Sequence, residues 1–117
     1  MAKLCRKIGP MKEKEAREFL RTIAKTLKYC HDMNVAHRDL KAENVLVGKG
    51  GKLKLIDFAF ASRTDKDQKV DSYCGTPSYM APEIFSKLPH CPKKADVWAF
   101  GVLAYRLIAG ELPYVRR

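Results

Sequence analysis

Apolar residues between positions 12 and 31 recur at intervals of three and one, as they do along one face of an α-helix. They are Ala16, Phe19, Leu20, Ile23, Ala24 and Leu27, and charged residues occupy many of the positions between them. Gly9-Pro10 precedes this pattern and is typical of a break followed by a helix start. The sequence therefore predicts an amphipathic helix over roughly residues 12–31.

Two short aliphatic runs follow, VLV at residues 45–47 and KLKLI at residues 52–56. The glycine-rich segment 48–51 separates them, so the three parts predict a β-hairpin. Residues 62–73 are polar without a period and predict a loop. Four prolines keep the stretch after it irregular, apart from one helical turn near residues 81–85.

Residues 95–109 are apolar nearly all the way round, and only Asp96, Tyr105 and Arg106 interrupt them. Gly110 and then Pro113 mark the end of this segment. A helix without a polar face belongs in a core, and this one is short for a membrane span. We expect a buried central helix, with Asp96 in its first turn accepting backbone N–H groups there.

The chain has 117 residues, of which 46% are hydrophobic, and this size fits one small globular domain. Its net charge of +10 includes a stripe of Arg17, Arg21 and Lys25 along one helix face. Such a stripe could follow a phosphate backbone, but it is more often a solvated helix surface. We expect neither a nucleic acid nor a membrane as a partner.

The four cysteines are too widely spaced for a zinc site, so reduced thiols are expected. The basic N-terminal segment MAKLCRKIGP has no apolar core behind it, which is unlike a secretory signal. A cytoplasmic or nuclear location follows as an expectation.

Candidate chemistry lies on two segments, HRDLKAEN at residues 37–44 and DFA at residues 57–59. Asp39, Asn44 and Asp57 supply carboxylate and carboxamide oxygens, the hard ligands that Mg²⁺ prefers. Lys41 among them would neutralise phosphate. Taken singly, each of these residues is more often a cap or turn residue, and it is their joint spacing that favours a functional site.

The string HRDLKAENVL at residues 37–46 resembles the catalytic loop of the eukaryotic protein kinases. Three further segments resemble segments of that family and follow in the same order. Residues 57–59 resemble the magnesium-binding triplet, residues 74–83 resemble the end of the activation segment, and residues 96–101 resemble the start of the central helix. Lys41 and the run 75–77 resemble the serine/threonine class. The sequence around CGTPSYMAPEI is similar to the calcium/calmodulin-dependent and AMP-activated kinase group.

The resemblance implies a transfer of the ATP γ-phosphate to serine or threonine of a protein substrate, with ATP and Mg²⁺ as cofactors. Asp39 would accept the hydroxyl proton, Lys41 would steady the phosphoryl group, and Thr76 would bond near both. Asn44 and Asp57 would hold Mg²⁺, and Leu46 would lie under the adenine ring. Further implied roles are packing for His37 and Phe58, bracing of the catalytic loop by Asp96, and attraction of a basic substrate residue by Glu43.

Arg38, directly before Asp39, is a positive charge that needs a partner where it is buried. Members of the resembled family that have this arginine are commonly activated by a phosphate in the activation segment. Ser72 occupies the usual position of that phosphate. The resemblance therefore implies an activating kinase acting at Ser72 as a partner, with the phosphate bonded to Arg38.

The expected fold class is α+β: a mainly helical large-lobe fragment of a kinase, residues 1–117, with one β-hairpin and without the small lobe and last helices. Ala59 stands where the triplet usually has glycine, which alone does not argue against activity, but the sequence contains no glycine-rich loop or strand lysine of that family. We therefore expect weak or no activity from the chain alone, and association through exposed apolar surface. The alternative is a catalytically inert kinase-like interaction module.

Overall fold

The computed structural model describes residues 2–3, 10–64 and 69–114, which contain two long helices, one short helix and five short strands. The helices are α1 (Glu13–Asp32), α2 (Pro82–Phe85) and α3 (Pro92–Ala109), and the strands are β1 (Ala2–Lys3), β2 (Val35–Ala36), β3 (Val45–Val47), β4 (Leu53–Leu55) and β5 (Ser62–Arg63). Single 3₁₀ turns occur at Ala42–Asn44, Lys49–Gly51 and Pro77–Tyr79. This mixture of helices and small antiparallel sheets confirms the predicted α+β class.

The apolar face of α1 forms one wall of the core, as its period predicts. Ile23 and Leu27 are buried there and pack in one cluster with Val45 of the hairpin and Leu103 of α3, which has no exposed surface. The opposite side of α1 carries Arg17, Arg21 and Lys25, all exposed, so the basic stripe is a solvated face in this structure.

The predicted hairpin is present, and it is one part of a three-stranded sheet. Val45 faces Leu55 and Val47 faces Leu53 across β3 and β4. On its other edge β3 pairs antiparallel with β1, with Lys3 opposite Leu46. The core therefore holds α1 against a small sheet whose buried positions alternate along β3.

A second sheet corrects the prediction of a continuous loop over residues 62–73. Ser62–Arg63 forms β5 and pairs antiparallel with β2, and the backbone N–H of Thr64 donates to the carbonyl of Asn34 at 2.8 Å. Two residues are too few to show a strand period in sequence, which is why this pair was missed.

Helix α3 begins at Pro92, three residues before the predicted start. Proline suits the first helical position because its fixed φ is helical and its missing N–H has no partner there. Asp96 therefore lies beyond the first turn, and the prediction that it caps the helix start is wrong. The predicted end at Gly110 is confirmed: this residue is left-handed with φ 80°, and a Cβ there would lie 3.0 Å from Pro10.

The apolar surface of α3 is covered on one side only within the described residues. Val102, Leu103 and Leu107 are buried in the core, whereas the outer face of α3, defined as Val97, Trp98, Tyr105 and Ile108, is exposed. Tyr114 stacks on Trp98 with ring centroids 6.1 Å apart. No helix in the described part of the chain is long and apolar enough to cross a bilayer. Cys30, Cys74 and Cys91 carry free thiols.

Exposure of the outer face of α3 predicts that the isolated chain binds hydrophobic dyes and self-associates. Replacing Val97 and Ile108 by lysine should lower dye fluorescence and shift the chain toward monomer in light scattering. The matched control is the same change at Tyr29 and Met33, which are exposed at the end of α1 and should leave both signals unchanged. A monomeric, cooperative melt of the unaltered chain without dye binding would contradict this prediction.

Candidate active site

The loop that carries the candidate chemistry is anchored on a buried carboxylate of α3. Asp96 is 1% exposed, and its two oxygens accept the backbone N–H groups of His37 and Arg38, each at 2.9 Å. The ring Nε2 of His31 lies 2.8 Å from Oδ2 of the same carboxylate. A buried carboxylate is costly without such partners. Asp96 thereby holds the loop at the point where Arg38 adopts a left-handed φ of 73°.

His37 continues this anchoring toward the hairpin. Its Nδ1 accepts the backbone N–H of Asp39 at 3.0 Å, so the ring proton lies on Nε2, which donates to the carbonyl of Ile56 at 2.9 Å. The His37 ring also meets Phe58 edge-on with centroids 4.6 Å apart. The loop is thus bonded to α3 through Asp96 and to the segment that follows β4 through His37.

Asp39, Lys41 and Thr76 form a hydrogen-bonded chain at the surface of this loop. Lys41 Nζ donates to Thr76 Oγ1 at 2.8 Å, and the threonine hydroxyl donates in turn to Asp39 Oδ1 at 2.8 Å. The lysine nitrogen lies 3.7 Å from Asp39 Oδ2. These three predicted site residues therefore converge, although 35 residues separate Lys41 from Thr76.

The approach of Thr76 to the loop depends on Gly75. Its φ is 119°, and a Cβ at this position would lie 3.2 Å from the backbone oxygen of Arg38. Any other residue would be strained in this conformation and crowded against the catalytic-loop backbone. Gly75 therefore lets the activation segment lie directly against the loop.

Asn44 is buried beside Asp39 and is oriented by it. Its amide nitrogen donates to the Asp39 carbonyl at 2.8 Å and lies 3.4 Å from Oδ2 of the Asp39 carboxylate. No described residue donates a hydrogen bond to the remaining amide oxygen. Asn44 thus presents one hard oxygen of the kind a magnesium ion binds.

Asp57 directly follows Ile56, whose backbone N–H donates to the Asn44 carbonyl at 2.9 Å. The backbone segments that carry Asn44 and Asp57 are therefore hydrogen-bonded to each other. The Asp57 side chain is exposed, and one carboxylate oxygen accepts the N–H of Ala59 at 3.3 Å. Within the triplet 57–59, Asp57 has a left-handed backbone with φ 60°, whereas the φ of Ala59 is not positive. No cluster of three acidic, histidine or cysteine ligands occurs in the described residues. An exposed carboxylate and an amide oxygen are donor types that fit Mg²⁺ that keeps several waters.

Leu46 lies on β3 between Val45 and Val47, and its side chain is half-buried where theirs are buried. Because side chains alternate along a strand, Leu46 faces away from the core cluster that holds its two neighbours. Its adenine-facing role remains a prediction.

Three side chains at the site were not found by sequence reasoning: His31, Tyr79 and Arg106. Arg106 Nη1 donates to Glu43 Oε1 at 3.0 Å and to the Tyr79 hydroxyl at 2.8 Å. Glu43 is therefore paired with Arg106 in this structure, and its attraction of a basic substrate residue stays a prediction. Arg106 is the single cation in the largely apolar stretch 95–109, and this was the signal for such a partner.

Burial raises the pKa of Tyr79, and the hydrogen bond from Arg106 opposes that rise without cancelling it. Tyr79 is therefore a neutral phenol at physiological pH. Partial burial alone would lower the pKa of Arg106, but the hydrogen bond to Tyr79 and the charge of Glu43 outweigh burial and leave it raised. The Arg106 guanidinium therefore stays protonated beside the neutral Tyr79 hydroxyl.

The Arg38 side chain reaches the activation segment. Its Nη2 donates to the hydroxyl and the carbonyl of Ser72 and to the sulfur of Cys74. Ser72 is exposed, so its hydroxyl is accessible while bonded to the guanidinium. Arg38 thus contacts unmodified Ser72, and the bond from a Ser72 phosphate to Arg38 that the resemblance implies stays a prediction.

Comparisons with known proteins all indicate the same family. The protein kinase domain family matches residues 1–117. Human testis-specific serine/threonine-protein kinase 1 is 40% identical over 111 residues, which cover 91% of this chain and 30% of that protein. Mouse sperm motility kinase 3A is 38% identical over 109 residues, covering 93% of this chain and 22% of that protein. Protein kinase kin1 of Schizosaccharomyces pombe is 40% identical over 106 residues, covering 91% and 12%.

The chain therefore belongs to the eukaryotic protein kinase domain family, and all three of these relatives are named as kinases. It spans between 12% and 30% of the length of these three relatives.

Replacing Asp96 by asparagine should destabilise the chain. One carboxylate oxygen would become an amide nitrogen, which cannot accept the hydrogen bonds that this oxygen now receives from a loop N–H or from His31. The expected loss is about 2–4 kcal/mol in the free energy of unfolding. Urea unfolding measures it, and hydrogen exchange at the His37 and Arg38 amides reports the loop directly. Asp32→Asn, at an exposed pair with Lys28, should cost at most about 1 kcal/mol. Equal effects of the two substitutions would contradict the anchoring role of Asp96.

Proposed function

We propose that this chain carries the phosphoryl-transfer site of a serine/threonine protein kinase, which moves the γ-phosphate of ATP to a serine or threonine hydroxyl of a protein. The observation that carries this proposal is the hydrogen-bonded chain Lys41–Thr76–Asp39 beside the oriented amide of Asn44. A proton acceptor, a phosphate-facing cation and metal-binding oxygens are the parts that such a transfer requires.

Asp39 is proposed as the acceptor of the substrate hydroxyl proton. It already accepts a hydroxyl hydrogen bond from Thr76 at 2.8 Å on Oδ1, so its carboxylate is oriented for this contact. The substrate oxygen then bonds to the γ-phosphorus, the bond to the β–γ bridging oxygen breaks, and ADP leaves. Lys41, held by Thr76, places an ammonium where negative charge develops on the transferred group.

Asn44 and Asp57 are proposed to hold Mg²⁺ through the amide oxygen and the exposed carboxylate. The metal ion would neutralise phosphate charge during transfer. Leu46, on the side of β3 that faces away from the core cluster, is proposed as an apolar surface for the adenine ring. Support for these roles comes from the hard donor set and from the exposed position of Asp57.

The alternative function, an inert kinase-like interaction module, has the exposed outer face of α3 in its favour. Retention of the connected Asp39, Lys41 and Thr76 favours the enzymatic proposal instead. An assay of phosphate transfer separates the two.

An activating kinase acting at Ser72 is the proposed regulatory partner. Arg38 already donates to the Ser72 hydroxyl, so a phosphate there would gain charge-assisted bonds without a rearrangement of the arginine. Because the backbone N–H of Arg38 is bonded to Asp96, the phosphate would be coupled to the loop that carries Asp39.

Replacing Asp39 by asparagine should lower Mg²⁺-dependent phosphate transfer by about 10²–10⁴-fold, because the proton acceptor is lost. Transfer of the labelled γ-phosphate from ATP to a serine/threonine protein substrate measures it, and a slow basal rate is expected for this chain alone. Asp32→Asn, on the exposed surface of α1, is the control that should retain the basal rate. Equal labelling by wild type and Asp39→Asn would identify a contaminant and favour the interaction module.

Phosphorylation of Ser72 should protect the activation segment from proteolysis, because charge-assisted bonds to Arg38 are worth about 1.5–3 kcal/mol. Limited proteolysis of phosphorylated and unmodified chain measures the protection, which Arg38→Met should abolish. Glutamate at Ser86, an exposed serine after α2, is a control for added charge and should give no protection. Identical cleavage rates with and without the phosphate would refute this switch.

A further inference from the structure

The side chain of Arg106 connects the two segments that line the acceptor site. It leaves α3 with only 25% of its surface exposed and donates from Nη1 to Glu43 at 3.0 Å and to the Tyr79 hydroxyl at 2.8 Å. Glu43 belongs to the 3₁₀ turn Ala42–Asn44, directly before the Mg²⁺-ligand candidate Asn44. Arg106 therefore contacts the catalytic loop on one side and the activation segment on the other.

Tyr79 completes this connection. Its hydroxyl lies 3.4 Å from the backbone N–H of Ala42, and its own N–H donates to the carbonyl of Thr76 at 2.9 Å. Thr76 in turn is bonded to Asp39. The Arg106–Glu43 pair is thus built into the same framework that places the proposed proton acceptor.

Glu43 is the carboxylate of this framework that an acceptor peptide can reach, because 43% of its side chain is exposed. A peptide whose hydroxyl lies on Asp39 must extend across neighbouring residues, at up to about 3.5 Å per residue. An unpaired glutamate there would attract a flanking arginine or lysine. Paired with Arg106, it presents no net charge, and the partly buried pair is screened less than a surface pair.

A basic peptide residue could take Glu43 only by displacing Arg106. The displaced guanidinium would lose its bonds to both Glu43 and Tyr79 while it remained largely covered by α3 and the loop, which is unfavourable. The positive charge of the whole chain, +10, adds a further bias against basic peptides.

We infer that Arg106 is a specificity-determining residue that neutralises Glu43, so that the site takes serine/threonine peptides with uncharged or acidic flanking residues rather than basic ones. This inference rests on the proposed function, since it concerns the acceptor of the same site. It is a statement about binding, and therefore it can be tested without turnover.

The test compares two labelled serine peptides that differ only in whether arginine or glutamate flanks the serine, bound to the full chain and followed by fluorescence anisotropy. Arg106→Gln removes the charge and keeps a donor for Tyr79, and it should strengthen binding of the arginine peptide about three- to tenfold. Adding Glu43→Gln to that variant should abolish the gain. Lys25→Gln, exposed on α1, removes the same charge elsewhere and should give no such gain.

Glu43→Gln in the wild-type background provides a second measurement on a more exposed side chain. It leaves the Arg106 cation unpaired and should strengthen binding of the glutamate peptide severalfold. The inference is overturned if Arg106→Gln gives no gain for the arginine peptide, if that gain survives Glu43→Gln, or if no variant binds either peptide. Failure of the proposed function would appear separately, as phosphate transfer that is independent of Asp39.

Discussion

The buried carboxylate of Asp96 is the interaction on which the site depends. A loop rich in polar side chains cannot be held against a protein core unless its backbone groups find partners there. Asp96 supplies two acceptor oxygens to consecutive N–H groups, those of His37 and Arg38, and is itself satisfied by them and by His31. The next residue, Asp39, is thereby placed by a backbone that cannot move independently of α3.

From this anchor the site is assembled by contacts between segments far apart in sequence. Gly75 lets the activation segment approach the Arg38 carbonyl, and this approach brings Thr76 to Asp39 and Lys41. Arg38 extends in the other direction to Ser72. The loop backbone therefore links three features: the proposed proton acceptor, the segment beside it, and the residue proposed for phosphorylation.

Sequence reasoning found what is periodic or matched by a motif and missed what depends on pairing across the fold. The long apolar periods predicted α1 and the core position of α3, and the glycine-rich break predicted the β3–β4 hairpin. The two-residue strands β2 and β5 have no period to detect, and Pro92 was interpreted as a break where it starts a helix. The motifs indicated Asp39, Lys41, Asn44 and Thr76, but nothing local indicated that Arg106 lies against Glu43.

Helix α3 shows why its apolar pattern was ambiguous. At about 100° per residue, Asp96, Leu103 and Arg106 fall on one side of the helix, and the exposed outer face falls on the other. Asp96 and Arg106 thus point inward, where the two loops of the site provide their partners, while large apolar residues point outward. The same helix thus presents the anchoring carboxylate and the Arg106 guanidinium on one side and an apolar surface on the other, which is why an apolar pattern all round the helix could not tell the two sides apart.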